Sequence, residues 1–440
     1  MSNLTIAAIM IAAMLTFIAI RVPIGAAMFV AGAGGYWAMT GEVALLNFLK
    51  GMLWSSLSNY DLSVIPLFLL MGELATAAGF SRALFMAAHT LVGHLKGGIA
   101  MAAILACATF GAICGSSVAT TATVSRIALP QMRNLHYSDR LSTGTMAVGG
   151  TLGILIPPSI ILVIYAVLAE QSIAKLFAAA MIPGLLAIAG YCIVIAILVR
   201  LFPDHAPIAA RADNAERIQA IAEAWPVVAF FIGMFAGIYG GYFTPTEGAA
   251  VAVAATLLLG VARRKLRWGS IVNSVLPVAR STAMIFIILL GAGMLNGALA
   301  ISQIPTHAAL WVQDLDVNPI LVVAGILIVF ALLTCVLDEL AMMMLFLPIL
   351  LPIIVDLELY NLTGEEKAIW FGILMLSVVA LGLLTPPIGL NVYVVRTVAH
   401  DVPVWEIYRG IVPFLMWDVL RISLLLAFPA LTLAALQIVH

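Results

Sequence analysis

Two proline pairs, Pro157-Pro158 and Pro386-Pro387, stand inside long apolar runs, GILIPPSI at 153–160 and GLLTPPIG at 382–389. Proline carries no backbone N–H, so a pair within a helix frees carbonyls one turn earlier. The carbonyls of Gly153–Ile156 and Gly382–Thr385 are hard oxygen ligands, suited to an alkali cation rather than to zinc or copper. Where each helix restarts, its N-terminus favours an anionic group. Two polar interruptions add to this chemistry. Cys114-Gly115-Ser116-Ser117, followed by Thr120, Thr121 and Thr123, supplies hydroxyls, and Cys335-Val336-Leu337-Asp338-Glu339 supplies carboxylates. Each feature also has an ordinary reading. Proline pairs kink helices, Ser and Thr bond back to their own helix, and Asp338 is a good cap. Duplication of the pattern, and the cost of a carboxylate at membrane depth, favour a binding role.

The elements that position these groups follow from composition. Of 440 residues, 64% are hydrophobic and only 9% are charged, against about 25% charged in soluble domains. That excludes a soluble enzyme, a disordered chain and a nucleic-acid binder. The reading is an all-α polytopic membrane protein, because a span needs about 20 apolar residues and such runs recur along the chain. About ten full spans are expected, near 3–20, 23–40, 61–79, 143–169, 176–200, 225–243, 245–262, 278–299, 368–396 and 411–436. The first run lacks a basic leader and a small-residue cleavage site, so it is expected to be retained.

Two regions, 97–132 and 318–354, each carry a polar interruption midway and arms marginal for a full span. Irregular backbone at that depth needs cover from protein or a cavity, so both are expected to be re-entrant hairpins. The order of span, amphipathic linker, hairpin and proline-broken span occurs over 61–169 and again over 278–396, placing Ser117 opposite Asp338. Lys and Arg placement sets orientation. Arg82, Lys96, Arg133 and Arg140 flank the first hairpin and Arg263 to Arg267 a later loop; Asp314, Asp316, Asp356, Glu358, Glu365 and Glu366 flank the second. The first hairpin is therefore expected to enter from the cytoplasm, the second from outside, with both termini outside. Two broken units of opposite topology signal an inverted-repeat secondary transporter.

Other residues have plainer readings. Glu73 is expected at the inner end of its span, Glu247 as a first-turn cap, and His89, His94 and His136 at the interface. Trp311, Trp370, Trp405 and Trp417 are expected as belt residues, and Gly32-Ala33-Gly34-Gly35 as a close-packing helix face. The four cysteines lack metal-ligand spacing. No HExxH, Walker A or GxSxG motif occurs, so an enzyme and an organic cofactor are not expected. An intramembrane enzyme using Asp338 or Glu339 stays as an alternative.

The segments SVIPLFLLMGELATAAGFSRAL (63–84), FGAICGSSVATTATV (110–124), GGTLGILIPPSIILVIYAVL (149–168), YFTPTEGAAVAVA (242–254), LDELAMMMLFLPILLPI (337–353) and LGLLTPPIGLNVYVV (381–395) resemble the large membrane subunit of tripartite ATP-independent periplasmic (TRAP) transporters. The resemblance runs in order along essentially the whole chain. It implies sodium-driven uptake of a small organic anion, carboxylate or sulfonate, across the bacterial inner membrane. It also implies two partners, a small four-span membrane subunit and a periplasmic substrate-binding protein, and an elevator mechanism. The mobile repeats would be 61–169 and 278–396; the scaffold would be 1–60, 170–277 and 397–440. By match to family motifs, Na+ is expected near Ser116, Ser117, Gly150, Thr151 and Pro157, and near Asp338, Gly382, Thr385, Pro386 and Asn391. Substrate is expected near Ser117, Thr120, Pro158, Ser159, Pro387 and Asn391. Two departures stand out: Ser377 where many members carry Asn, and Val118-Ala119-Thr120-Thr121 where an acidic residue is common. The acidic loops at 302–316 and 356–367 are expected to dock the binding protein. A self-sufficient carrier or antiporter of the same architecture is the alternative.

Overall fold

The computed structural model describes residues 2–207, 211–314, 317–335 and 337–438. Asp316 and Val336 therefore lie outside the described residues, as does the side chain of Asp314. Among the described residues the secondary structure is helical throughout. In chain order the helices are α1 (Asn3–Ala19), α2 (Ile24–Thr40), α3 (Glu42–Leu57), α4 (Val64–Ala77), α5 (Phe80–Val92), α6 (Gly98–Cys114), α7 (Ser117–Asn134), α8 (Asp139–Leu155), α9 (Ile160–Leu168) and α10 (Ile173–Leu201). They continue with α11 (Asn214–Tyr239), α12 (Pro245–Ala262), α13 (Trp268–Ser302), α14 (Ile304–Asp314), α15 (Pro319–Thr334), α16 (Glu339–Asp356), α17 (Gly364–Gly382), α18 (Leu390–Val398), α19 (Val404–Ala427) and α20 (Ala430–Leu433).

The expected spans reappear with instructive differences. The runs 143–169 and 368–396 are each two helices, α8/α9 and α17/α18, parted at the proline pairs. The run 411–436 stops at Ala427, because Pro429 cannot continue the α19 ladder. Helix α3 was not foreseen within 1–60; its outer surface is largely exposed. The repeat is visible in the element order, with α4 to α9 matched by α13 to α18.

Surface ion pairs show how the two hairpins are oriented. Arg133, at the base of the α6/α7 hairpin, bonds Asp139 at the start of α8 (3.0 Å) and Asp401 after α18 (2.9 Å). Lys175, at the start of α10, bonds Glu365 at the start of α17 (2.5 Å), and Lys367 donates to Val355 O at the end of α16 (2.7 Å). Since α8/α9 runs from the first group to the second, the groups mark opposite faces. One hairpin is based on each face, as an inverted repeat requires. Exposed pairs of this kind contribute at most about 1 kcal/mol each, so they locate the faces rather than hold the fold.

Holding falls to close helix crossings. Helix α2 meets α13 through Gly25, Gly32 and Gly291; a Cβ on Gly32 would stand 2.7 Å from the Leu295 backbone. Of the Gly32–Gly35 segment expected to pack closely, Gly32 lies on the α13 backbone and Gly35 on Met10 of α1, whereas Gly34 faces open space; small residues let backbones approach. Helix α8 meets α19 in the same way, Gly144 on Gly410. Helices α10 and α19, grouped by sequence with the flanking scaffold, pack on the hairpins and broken helices: α10 against α6 and α17, α19 against α8 and α17. The buried core concentrates there, and α8 is buried along nearly its whole length.

Candidate functional site

The first hairpin turns at Gly115, whose φ of +63° is a left-handed conformation natural to glycine. Ser116 then caps α7, its Oγ accepting from Ala119 N (3.4 Å). The tip lies against the break in α8/α9. A Cβ on Gly115 would meet Pro158 O at 3.0 Å, and one on Gly153 would meet Thr120 Oγ1 at 2.6 Å. Gly150 leaves room for Thr121, whose Oγ1 would lie 1.7 Å from an added Cβ. The small residues of α8 thus bring the Ser/Thr face of α7 onto the broken helix. Thr120 Oγ1 is buried there beside the Cys114 thiol, with no closer hydrogen-bond partner among the described residues, an arrangement in which a hard oxygen can turn to a cation. Ser159 restarts the chain as the cap of α9, accepting from Leu162 N (3.4 Å).

Asn391, grouped with Asp338 as a cation neighbour and with Ser117 as a substrate neighbour, reaches Ser117 of the first hairpin. Its Nδ2 donates to Ser117 Oγ (2.8 Å) and to Ala147 O (3.0 Å), while Ser117 Oγ donates to Asn391 Oδ1 (3.1 Å). All of this is buried. Asn391 N also donates to Leu383 O (3.2 Å), closing the loop through Pro386-Pro387. One residue therefore joins the break of the second repeat to the hairpin tip of the first.

The second hairpin tip meets its own broken helix. Thr334 packs on Gly382, and Cys335 Sγ lies 2.9 Å from Thr385 Oγ1. Asp338 caps α16, its Oδ2 accepting from Leu340 N (3.2 Å) and Ala341 N (3.5 Å). It also lines a cavity of ≈ 160 Å³ together with Glu339, Gly382, Gly389 and Leu390. Glu339 Oε2 is buried there without a hydrogen-bond partner among the described residues. The first centre offers hydroxyl and carbonyl oxygens, the second adds the carboxylates of Asp338 and Glu339, and no set of three His, Cys, Asp or Glu side chains gathers among the described residues. That donor chemistry fits a hard monovalent cation and, at the helix restarts, an anion.

Sequence reasoning placed several residues differently from the fold. Thr151 faces away from the hairpin, its Oγ1 donating to Val148 O (2.7 Å) and lying 3.4 Å from the Tyr191 hydroxyl. Glu73 follows Gly72, which packs on Cys114 at the hairpin tip, so it sits at tip depth rather than at the inner end of a span. Trp311 and Trp405 are exposed as belt residues are. Trp370 is buried and donates to Leu425 O (2.9 Å), and the Trp417 ring fills the space left by Gly190. Glu247 is a cap as expected, closing a capping box with Thr244. Of the acids expected to dock a partner, Glu365 is paired with Lys175 and Glu366 closes the capping box of α17 with Thr363.

The largest omission was Asp418 and Arg421, buried to 1% and 0% exposure in α19. Arg421 Nη2 bonds Asp418 Oδ1 at 3.0 Å. The signal was available, because opposite charges three residues apart inside an apolar run demand an explanation at membrane depth.

An all-helical body of two inverted units, each setting a hairpin tip against a broken helix, is the architecture of an inverted-repeat membrane transporter. A solved structure with this fold is the YdaH transporter of Alcanivorax borkumensis, which superposes with a TM-score of 0.64 over 89% of both chains at 15% identity. The profile of the family described as "Tripartite ATP-independent periplasmic transporter, DctM component" matches residues 11–431. The C4-dicarboxylate TRAP transporter large permease protein DctM of Pseudomonas aeruginosa is 34% identical over 87% of each chain. The sialic acid TRAP transporter large permease protein SiaM of Vibrio cholerae is 29% identical over 88% of this chain and 89% of its own. The ectoine TRAP transporter large permease protein TeaC of Halomonas elongata is 29% identical over 97% of each. The chain belongs to the TRAP transporter large permease (DctM) family and is an inner-membrane protein.

Proposed function

We propose that this chain carries a small organic anion, a carboxylate or sulfonate, into the cell in symport with Na+. A periplasmic binding protein delivers the anion, and a small four-span subunit completes the membrane part. The observation that carries this reading is the pair of inverted helix breaks, each faced by a hairpin tip rich in oxygen. Hard oxygens suit Na+, and helix restarts suit an anion. Relatives named for C4-dicarboxylate, sialic acid and isethionate transport support the organic-acid class. The residues that would hold the cation are Ser116, Ser117 and Thr120 with the Gly153–Ile156 carbonyls, and Asp338 and Thr385 with Gly382–Thr385. Asn391, Ser159 and the restarts after Pro158 and Pro387 would face the anion.

The transport step in this reading is an elevator. The hairpins, α8/α9 and α17/α18 move as one body with the rest of the repeats 61–169 and 278–396, against α1–α3, α11 and α12. Helices α10 and α19 travel with that body, because they pack on it. The basic face at Arg133 and Arg140 is read as cytoplasmic. The test is uptake into liposomes holding the full transporter, with loaded binding protein outside. Uptake should require an inward Na+ gradient and no ATP. Undiminished uptake after replacing external Na+ by choline removes the cation coupling.

A further inference from the structure

Four helices meet in a buried polar cluster apart from both hairpin tips. Tyr191 in α10 donates its hydroxyl to Asp418 of α19, at 3.0 and 2.8 Å from the two carboxylate oxygens. Arg421, one turn on, donates Nε (3.2 Å) and Nη2 (3.0 Å) to Asp418 Oδ1. Its Nη1 reaches Ser377 Oγ in α17 at 3.4 Å. Thr151 in α8 stands against the same tyrosine hydroxyl. Each repeat contributes its broken helix, α8 or α17, and the other two helices, α10 and α19, are those that follow the two repeats. Tyr191 follows Pro183 by the same eight residues as Arg421 follows Pro413, so the two sides of the cluster occupy equivalent repeat positions.

The cluster is electrically balanced, with one carboxylate against one guanidinium, so it asks for no further ion. Nor is stability a sufficient reason for it. A buried ion pair gives little net stability over apolar side chains of similar volume, and its best-attested use is to fix one arrangement of the surrounding elements. What it touches is informative. Thr151 lies six residues before Pro157, and Ser377 nine before Pro386, each on the helix that leads into a break. Apolar contacts alone would let α8 and α17 slide, whereas directional bonds to one shared ion pair fix their register.

We infer that Tyr191, Asp418, Arg421 and Ser377 form a positioning clamp that sets the spacing of the two helix breaks across the repeats. The inference rests on the reading that those breaks bind the coupling cation. They are positioning residues, remote from the hairpin tips, and act on the breaks through α8 and α17. In the clamp, Tyr191→Phe removes the hydroxyl that Asp418 accepts and Thr151 faces, and Ser377→Ala removes the acceptor of Arg421 together with a bond within α17 to Ile373 O, each leaving the ion pair and the packing volume nearly intact.

The experiment uses the full transporter with its small subunit. Hydrogen exchange is followed at the amides of 153–156 and 383–385, in parallel with uptake as a function of Na+. In both variants protection at both breaks should fall about fivefold, the equilibrium equivalent of one hydrogen bond. The Na+ level for half-maximal uptake should rise severalfold at unchanged maximal rate and abundance. Tyr191→Trp, which restores a donor but not the fit, should not rescue; Ser377→Thr, which keeps the hydroxyl, should. Unchanged protection at both breaks overturns the clamp, whatever happens to uptake. So does lost protection with an unshifted Na+ midpoint, since that is the behaviour of a merely structural contact. If the unmodified transporter ignores Na+, the cation reading fails by itself and the exchange data alone decide the clamp.

Discussion

The Ser117–Asn391 pair offers the sharpest quantitative test of the site. These side chains are 274 residues apart in sequence and share two of the three hydrogen bonds made by the Asn391 amide group. Asn391→Ala removes all three. At about 1 kcal/mol net for each bond, with more where the Ser117 hydroxyl is left buried and unsatisfied, the loss should be about 2–4 kcal/mol. Ser117→Ala removes only the shared bonds and leaves Asn391 its contact with Ala147 O, so about 1–2 kcal/mol should go. Since both substitutions break the same contacts, the double variant should fall short of the sum by about 1–2 kcal/mol. Unfolding of the four proteins in detergent, followed by tryptophan fluorescence under increasing denaturant, measures this coupling. Effects that add within about 0.5 kcal/mol would show that the two side chains do not share an interaction. The cross-repeat link would then have to be abandoned.

Two further outcomes follow from local geometry. Asp338→Asn should express and melt like the parent, because Asn is as good a cap as Asp for the Leu340 and Ala341 amides; a raised Na+ midpoint for uptake identifies the carboxylate as part of a cation site, and an unshifted one leaves Asp338 as a cap. Asp401, in the loop after α18, is held below the ordinary carboxylate range by its own backbone N–H, by the Arg133 guanidinium and by the adjacent His400. A lowered folded pKa stabilises above the unfolded value of about 3.9 and the benefit is lost as pH falls through the folded value. The melting difference between the parent and Asp401→Asn should therefore be constant from pH 8 to about 5 and shrink only below about pH 4; a difference already closing near neutral pH would assign the link to another group.

The sequence alone determined the local devices, because each has a local cause. Pro157-Pro158 and Pro386-Pro387 remove donors from the helix ladder wherever the chain runs, so the breaks were legible as residues. Gly115-Ser116 and Asp338 mark hairpin turns for the same kind of reason, a left-handed glycine and good caps. The inverted repeat was legible too, since it is a pattern of order and of charge along the chain. Neighbours were not. An apolar helix face looks the same whether it meets lipid or another helix, so hydropathy cannot say that α10 and α19 pack on the broken helices of both repeats. Nor can it say which of its two expected neighbourhoods, that of Ser117 or that of Asp338, the Asn391 side chain bonds. Thr151 was grouped with Ser116, Ser117 and Gly150 by match to the family motifs, yet a helix turns about 100° per residue, and that rotation points it at Tyr191. Only the tertiary structure decided which polar groups inside the membrane meet, because each buried polar atom must find its partner wherever the packing of the whole bundle has placed one.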